Sequence, residues 1–400
     1  MKSASCCFRD LLSRLAVCCL ALVAICNGCV KHPMVAVYPD VNRPLPPGEF
    51  ALRKITDPAE IPDFSLAFQR QDDLRKAISR SLSYLSKPSS QQFFPYADIT
   101  HDQAVASLIA FRELLDTNAS PADLNRLVRE KFDVYTSIGY DDRGTVRFTA
   151  YYTPILTASR TPDRTYRYPI YGLPEDARLT DKGTVGLVGI DRRTIEKNNM
   201  LAGKELFYLA DRFETYVIQI QGSGILKLTD GTTTHVGFAG TNGQEYVSVR
   251  DLMIRDGVIG KTDGLPSMMA YFKAHPEQVQ QYTWVNPRYV FLVETTGEPR
   301  GSLNEPVTSL RTIATDKSVF PRACLAMVDL PHAGGQSGPW RQFVLDQDTG
   351  GAIRAAGRCD IYMGIGPKAG QLAGQLIQDG RIYYVFLKRE LLPQYTGARP

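Results

Sequence analysis

The sequence is poor in the residues that build disulfide frameworks and metal sites. Eight cysteines occur in 400 residues, but six lie within the first 29 positions, which leaves Cys324 and Cys359 in the rest of the chain. Two thiols can form one bridge but no disulfide framework. No Cys-x-x-Cys motif occurs among the remaining residues, and no pair of the five histidines has ligand spacing. We therefore expect neither a metal site nor a cofactor.

The sequence also has little net charge, because basic and acidic residues are nearly equal in number. The formal net charge is +4, and Lys2, Arg9 and Arg14 in the N-terminal segment contribute to it. The rest of the chain is nearly neutral, which excludes the basic footprint of a nucleic-acid-binding protein. A hydrophobic content of 44% over 400 residues is enough for one large domain or two interlocked ones.

One uninterrupted hydrophobic run lies near the N-terminus and is too short to cross a bilayer. It covers residues 15–25, the pattern of a signal peptide's hydrophobic region. The run ends at Cys26-Asn-Gly-Cys29, where a small residue before a cysteine resembles a bacterial lipoprotein cleavage site. We predict a signal peptide over residues 1–28, lipidation of Cys29, a polar tether over residues 29–50 and a periplasmic location at the outer membrane. An ordinary signal peptide cut nearby is the alternative.

Helices are predicted in the first third of the chain and strands in the rest. Apolar residues recur at helical spacing over residues 74–85 and 105–115, and Ser120 before Pro121 is a strong helix start. Later runs are rich in β-branched and aromatic residues, with a helix predicted at 267–274. The predicted strands cover residues 145–152, 216–221, 225–228, 289–293, 324–328, 343–345 and 382–387. Since no βαβ alternation occurs, the pattern favours an α+β or β-barrel architecture with an N-terminal helical cap.

Carboxylates are stronger candidates for catalysis than hydroxyls. Ser223 stands between two glycines but lacks the spacing of a nucleophile elbow, and a strand pattern rather than a helix follows it. Three aspartates, Asp316, Asp348 and Asp360, lie at the edges of hydrophobic C-terminal strands. These three carboxylates are therefore the first candidates for acid–base chemistry.

Asp360 is the most informative of the three. It lies between Cys359 and Ile361, so strand alternation points its side chain opposite to both. Burial raises the pKa of a carboxyl group, and keeping Asp360 protonated near neutral pH needs a rise of about three units, or about 4 kcal/mol. Such an acid can protonate a glycosidic oxygen. The alternative is a structural aspartate that caps a turn or pairs with Arg358.

Eight short stretches stand in a specific order between about residues 144 and 370. They are FTAYYTPI (148–155), YPIYGLP (168–174), IQIQGSG (218–224), FAGTNGQEY (238–246), NPRYVF (286–291), IATD (313–316), DTGGAI (348–353) and CDIYMGIGP (359–367). In this order and combination they resemble the membrane-bound lytic murein transglycosylase A family, including its C-terminal three-aspartate domain.

The resemblance implies a mainly β fold with N-terminal helices, in which a double-psi β-barrel domain carries a smaller inserted β-domain. The N-terminal helices and the first part of the barrel would cover residues 51–155, the inserted domain 156–289, and the second part of the barrel 290–400. A groove between the domains would hold a peptidoglycan glycan strand. Cell-wall synthesis proteins are further candidate partners, and nucleic acid is not.

The resemblance also implies a reaction and a set of site residues. Asp360 would be the single catalytic acid and base, with Asp316 and Asp348 in support. The β-1,4 bond between N-acetylmuramic acid and N-acetylglucosamine would be cleaved as the muramic C6 hydroxyl attacks C1, which leaves a 1,6-anhydro end. A hydrolase on the same scaffold and a non-catalytic glycan-binding protein are the alternatives. The implied groove residues are Thr149, Tyr151, Gln221, Gly222, Ser223, Asn242 and Gly243.

Overall fold

The computed structural model describes residues 39–174, 177, 189–332 and 338–395. The predicted signal peptide, the lipidation site Cys29 and the first part of the predicted tether lie outside these residues. Across the described ranges, no helix has both the length and the hydrophobicity needed to span a bilayer. The described chain is mainly β with helices, as the sequence predicts.

The helices and strands have the following bounds. The α-helices are α1 Ser65–Phe68, α2 Leu74–Leu85, α3 His101–Asp116, α4 Pro121–Lys131, α5 Arg192–Lys197, α6 Arg212–Gln221, α7 Val249–Arg255, α8 Leu265–Ala274, α9 Val279–Thr283 and α10 Gly366–Gln375. Short 3-10 helices cover Pro58–Glu60, Pro88–Phe93, Pro276–Gln278 and Arg389–Gln394. The strands are β1 Leu52–Lys54, β2 Phe132–Ser137, β3 Val146–Thr153, β4 Ile155–Ser159, β5 Tyr168–Tyr171, β6 Glu205–Leu209, β7 Ser223–Leu228, β8 Thr233–Thr241, β9 Val290–Thr295, β10 Thr312–Ala314, β11 Leu325–Leu330, β12 Trp340–Asp348, β13 Arg358–Ile365 and β14 Gln378–Leu387.

Helices α2, α3 and α4 form where the sequence predicts them. The Ser120 side chain accepts the Asp123 amide hydrogen at 3.2 Å and Pro121 opens α4, so the predicted cap is confirmed. These helices pack on the larger sheet, where the ring of Phe111 on α3 lies 4.8 Å from the ring of Phe343 on β12. The helical cap and the sheet therefore share one hydrophobic core.

Six strands of the larger sheet close into a ring. The pairings run β3–β13–β10–β12–β11–β14 and return to β3 through a second pairing of β14. The β12–β10 and β13–β3 pairs are parallel and the other four are antiparallel. Closure removes the free edges that an open sheet would expose, and it places β13 between β3 and β10.

The second sheet has the strand order β5-β6-β4-β7-β8-β9. Its β7–β8 hairpin turns at Asp230-Gly231 as predicted, and the Asp230 carboxylate accepts the Thr232 amide hydrogen at 2.8 Å. Only Pro154 separates β3 of the ring from β4 of this sheet. The two sheets are therefore joined at β3 with almost no linker.

The strand predicted over residues 216–221 is wrong, because these residues lie in helix α6. The Asp211 carboxylate accepts the Phe213 amide hydrogen at 2.7 Å and caps the helix. Gly222, with φ of 73°, ends it in the left-handed conformation that glycine adopts readily. Tyr216, Val217 and Ile218 are all buried, since α6 packs against the second sheet on one side and neighbouring helices on the other. A six-residue alternation was too short to distinguish this helix from a strand.

Candidate active site

Asp360 lies on β13 between two neighbouring strands of the ring. It pairs with Thr149 of β3 and with Ala314 of β10. Cys359 and Ile361 on either side of it are buried in the hydrophobic core. The predicted alternation is therefore confirmed, and the Asp360 side chain faces away from that core.

A short chain of hydrogen bonds holds one oxygen of Asp360. The Thr149 hydroxyl donates to Asp360 Oδ1 at 2.7 Å, and Arg358 Nη2 donates to Thr149 Oγ1 at 3.1 Å. A hydroxyl has one proton to donate, so the bond from Arg358 leaves that proton directed at Asp360. Within the described part of the chain, no hydrogen bond reaches Asp360 Oδ2. This oxygen is free to exchange a proton with a substrate.

The surroundings of Asp360 raise the pKa of its carboxyl group. Burial raises this pKa to about 6, while the Thr149 hydrogen bond and the Arg358 charge oppose the rise and Asp348 adds to it. The rise is smaller than the three units estimated for protonation at neutral pH. With a pKa of about 6, the Asp360 carboxyl group takes up its proton as the pH falls below neutral. Asp360 is thus suited to acid chemistry in mildly acidic conditions.

Asp348 has a different set of contacts. Its Oδ2 accepts the Tyr151 hydroxyl at 2.7 Å, and its Oδ1 accepts the Ser302 and Thr349 amide hydrogens at 2.8 Å each. Burial raises the pKa of this carboxyl group, and the three donors oppose the rise. Because both oxygens are already bound, Asp348 is better placed to hold Tyr151 and the loop at Ser302 than to transfer protons.

Asp316 also binds protein groups with both oxygens. Its Oδ1 accepts the Ser318 amide and hydroxyl at 3.0 and 2.6 Å, and its Oδ2 accepts the Ala355 amide at 2.8 Å. These bonds join the turn after β10 to the segment that enters β13. Asp316 therefore supports the strand that carries Asp360 without contacting Asp360 itself.

The predicted groove residues near α6 contact β3. Gln221 Oε1 accepts the Tyr152 amide hydrogen at 2.9 Å. The Ser223 hydroxyl lies 3.1 Å from the Thr153 hydroxyl, which in turn lies 3.0 Å from the Tyr362 hydroxyl. Gly222 between them ends α6, as described above. The structure thus brings Gln221 and Ser223 to the strand that carries Thr149 and Tyr151.

Asn242 and Gly243 lie in another part of the second sheet. The Asn242 side chain is fully buried and donates to the Ile190 and Pro287 carbonyl oxygens at 2.7 and 2.8 Å. Its Oδ1 accepts the Tyr289 amide hydrogen at 2.8 Å. These contacts give Asn242 a role in holding backbone segments together, while Gly243 beside it is exposed.

The two cysteines outside the N-terminal segment are free and buried, so the bridge that the sequence left open is not formed. Burial raises the pKa of both thiols, Cys324 and Cys359, which keeps them protonated and unreactive. Among the described residues, no group of three or more His, Cys, Asp or Glu side chains could hold a metal ion.

Two contributors to this site were missed by sequence reasoning. Arg358 was considered only as a partner for Asp360, whereas its contact is with Thr149. Tyr362 was not selected, although its ring lies 5.2 Å from the ring of Tyr151. Both stand two residues from Asp360 on the same strand, so alternation alone could have placed them on its face.

Two domain models and several relatives of known family match this chain. The model of the MltA specific insert domain matches residues 147–293, and the 3D domain model matches residues 311–386. A membrane-bound lytic murein transglycosylase A from Vibrio cholerae is 28% identical over 260 residues, which is 62% of this chain and 68% of the relative. The Escherichia coli K12 protein of the same name is also 28% identical over 260 residues, covering 63% of this chain and 68% of the relative.

Solved structures with the same fold are also found. A membrane-bound lytic murein transglycosylase from Agrobacterium tumefaciens aligns with a TM-score of 0.68 at 22% identity, covering 86% of this chain and all of the other. The structure of E. coli MltA with bound chitohexaose aligns with a TM-score of 0.65 at 24% identity, covering 85% of this chain and 96% of the other. At these identities the alignments establish the fold.

Proposed function

The chain belongs to the membrane-bound lytic murein transglycosylase A family, and from that premise we propose that Asp360 is its single catalytic acid and base. The family consists of lyases that act on peptidoglycan, so this chain is an enzyme of that class. The proposed reaction cleaves the β-1,4 bond between N-acetylmuramic acid and N-acetylglucosamine in a glycan strand. The structure of E. coli MltA with bound chitohexaose supports a glycan as the ligand of this fold.

The proposed reaction has two proton transfers through one carboxyl group. Protonated Asp360 donates its proton to the glycosidic oxygen, and the bond from that oxygen to C1 of the muramic sugar breaks with its electron pair leaving on oxygen. Positive charge then develops at C1. The C6 hydroxyl of the same sugar attacks C1 and gives its proton to the Asp360 carboxylate. A 1,6-anhydro end forms, no water is consumed, and Asp360 regains its proton.

The main support for this proposal is that the three carboxylates differ in how many of their oxygens accept hydrogen bonds from the protein. Asp360 has a free oxygen and a pKa near 6, whereas Asp348 and Asp316 bind protein groups with both oxygens. Most glycosidases need a second carboxylate as nucleophile or base. An intramolecular hydroxyl removes that need, because its position on the substrate supplies the proximity.

Two alternatives predict different products. A hydrolase on this scaffold would release reducing muropeptides, and a glycan-binding protein would release nothing. We expect mass spectrometry of digested sacculi to show 1,6-anhydro-muropeptides from the wild-type protein. A digest dominated by reducing ends, with incorporation of ¹⁸O from labelled water, would establish hydrolysis instead.

The hydrogen bond from the Thr149 hydroxyl to Asp360 leads to a prediction about how kcat depends on pH. Because the reaction starts from protonated Asp360, we expect the wild-type kcat to fall as pH rises through about 6. Thr149→Val keeps the β-branched shape but removes the hydrogen bond that lowers the Asp360 pKa. The Asp360 pKa should therefore rise, and the alkaline limb of the pH–rate profile should move to higher pH. The exposed Thr157 of β4 offers a matched control, and an identical shift in Thr157→Val would contradict this assignment.

We extend the proposal to architecture and location. The six-strand ring with two parallel pairs supports a double-psi barrel formed by residues 51–155 and 290–400. The second sheet runs from β4 to β9 and so ends at Thr295, which supports an inserted domain that extends a few residues beyond the predicted range of 156–289. The proposed location is the periplasm, with a lipid anchor on Cys29 in the outer membrane. Binding to cell-wall synthesis proteins remains a prediction from the sequence resemblance.

A further inference from the structure

A cavity of about 530 Å³ lies in the part of the chain that carries the second sheet. Its lining includes Gln219 of α6 and Tyr289, which are both buried. Arg167 before β5 and Arg212 at the start of α6 also line it and are more exposed. The cavity thus combines a buried polar floor with cationic groups near solvent. Neither Asp360 nor any residue that contacts it belongs to the lining.

The two arginines of the cavity are available to an anion. Each guanidinium lies 5.0 Å from the centre of the Tyr168 ring, so one ring holds both cations in place. Within the described residues, neither guanidinium has a carboxylate partner. The lining carboxylate, Glu196, is engaged elsewhere, because Arg192 Nη1 and Trp284 Nε1 donate to its oxygens at 3.2 and 2.8 Å. As far as the described residues go, the cavity therefore has positive charge that is suited to a carboxylate.

The Gln219 side chain forms a hydrogen bond with the Tyr289 side chain, but its own oxygen lacks a donor. Gln219 is only 4% exposed, and its Oε1 accepts no hydrogen bond from the described residues. A buried carbonyl oxygen without a donor costs free energy, so such a group calls for an explanation. A ligand N–H would satisfy it. The cavity thus presents sites for a carboxylate and for an amide donor. A peptide stem carries both groups, whereas an N-acetylglucosamine residue carries an amide but no carboxylate.

Helix α6 connects the cavity to the proposed active site. Arg212 and Gln219 line the cavity, and Gln221 at the other end of the helix contacts the β3 backbone. From residue 212 to residue 221 the helix rises about 14 Å. A four-residue peptide in extended form spans about the same length. A peptide attached to a sugar beside β3 could therefore reach the cavity along this helix.

We propose that this cavity binds the carboxylate-bearing peptide stem of the peptidoglycan strand. The inference rests on the proposed function, because a glycan strand that occupies the site at Asp360 brings its stems to this cavity. Arg167 and Arg212 bind the stem's free carboxylates, and Gln219 Oε1 accepts an amide hydrogen. The inserted part of the chain thereby contributes to recognition of substrate that carries peptides.

The test compares two forms of the same substrate. Glycan strands with intact stems, and strands stripped of their stems by an amidase, are digested by the wild type and by Arg167→Gln/Arg212→Gln. We expect the double variant to lose at least about tenfold in kcat/KM on stem-bearing strands, through KM, because it removes both cationic donors to the stem's carboxylates. On stripped strands it should equal the wild type. Arg164→Gln, an exposed arginine in the loop before β5, is the matched control.

Direct binding separates this inference from the proposed function. Calorimetry with N-acetylmuramyl-L-alanyl-D-isoglutamine should show binding to the wild type and to Asp360→Asn, and at least tenfold weaker binding to the double variant and to Gln219→Met. Wild-type activity of the double variant on stem-bearing as well as stripped strands, or unchanged calorimetric affinity, would overturn the cavity assignment while leaving the reaction intact. Conversely, binding at the cavity together with reducing products would refute the proposed reaction and leave the cavity assignment standing.

Discussion

Asp360→Asn is expected to lower kcat by about 10³- to 10⁴-fold and to leave the fold intact. Positioned acid–base groups typically contribute 10²- to 10⁴-fold, and here one carboxyl group performs both transfers. The amide has nearly the same shape and can still accept the Thr149 hydroxyl through its oxygen. Release of soluble muropeptides from sacculi measures the loss, and circular dichroism reports the fold.

The matched comparison for this variant is Asp348→Asn. Asp348 Oδ2 and Oδ1 accept three hydrogen bonds. The N–H₂ group of an amide there either faces the two backbone N–H donors or takes the place of the oxygen that accepts the Tyr151 proton. We expect lower stability and a milder loss of kcat than at Asp360. Glycan binding by Asp360→Asn, measured with chitohexaose, should match the wild type. Retention of more than a tenth of wild-type kcat by Asp360→Asn would refute its assignment as the acid.

Lys317→Met is expected to lower the free energy of unfolding by about 3–5 kcal/mol. Lys317 is buried and its ammonium group contacts the fully buried Asp346 carboxylate. Asp346 Oδ2 also accepts the Tyr384 and Thr315 hydroxyls at 2.7 Å each. Removing the ammonium group leaves a carboxylate in the core without its counter-charge, which is the costly way to break a buried pair. Urea denaturation at neutral pH measures the change.

An exposed pair provides the control for this prediction. Lys54 and Asp133 form an ion pair at 2.7 Å, in which the Lys54 side chain is 47% exposed. Lys54→Met should change stability by less than about 1 kcal/mol, since solvent screens surface pairs. The double variant Lys317→Met/Asp346→Leu should recover much of the lost stability, because it leaves no charge in the core. A Lys317→Met protein as stable as Lys54→Met would mean that the Asp346 carboxyl is neutral in the fold.

The sequence predicted the parts of this structure that depend on neighbours in the chain. The cap at Ser120, the hairpin at Asp230-Gly231 and the orientation of Asp360 all follow from local spacing, and each is confirmed. Residues 216–221 of helix α6 were predicted as a strand because burial on two sides removed the one-sided hydrophobic pattern of the helix. Tertiary packing thus overrode the local signal there.

The rest of the site depends on contacts between distant residues. Lys317 and Asp346 are 29 positions apart, and nothing in the sequence around either residue indicates that the two form a buried pair. The cavity joins residues from 167 to 289, which no spacing rule relates. The family resemblance selected Asp360, Asp348 and Asp316 together, but it could not show that only Asp360 keeps a free oxygen. That distinction required the hydrogen-bond partners of each carboxylate.

The order of strands in the ring sets when the active site can assemble during folding. The neighbours of β3 in the ring are β13 and β14, and Thr149 is 211 positions from Asp360. Contacts of such long separation form late, because the loop between them must be closed first. No fragment that stops before β14 contains the closed ring. An emerging chain therefore cannot hold the Arg358–Thr149–Asp360 arrangement in a closed ring until β14 is available, so we expect glycan cleavage only after β14 has joined the ring.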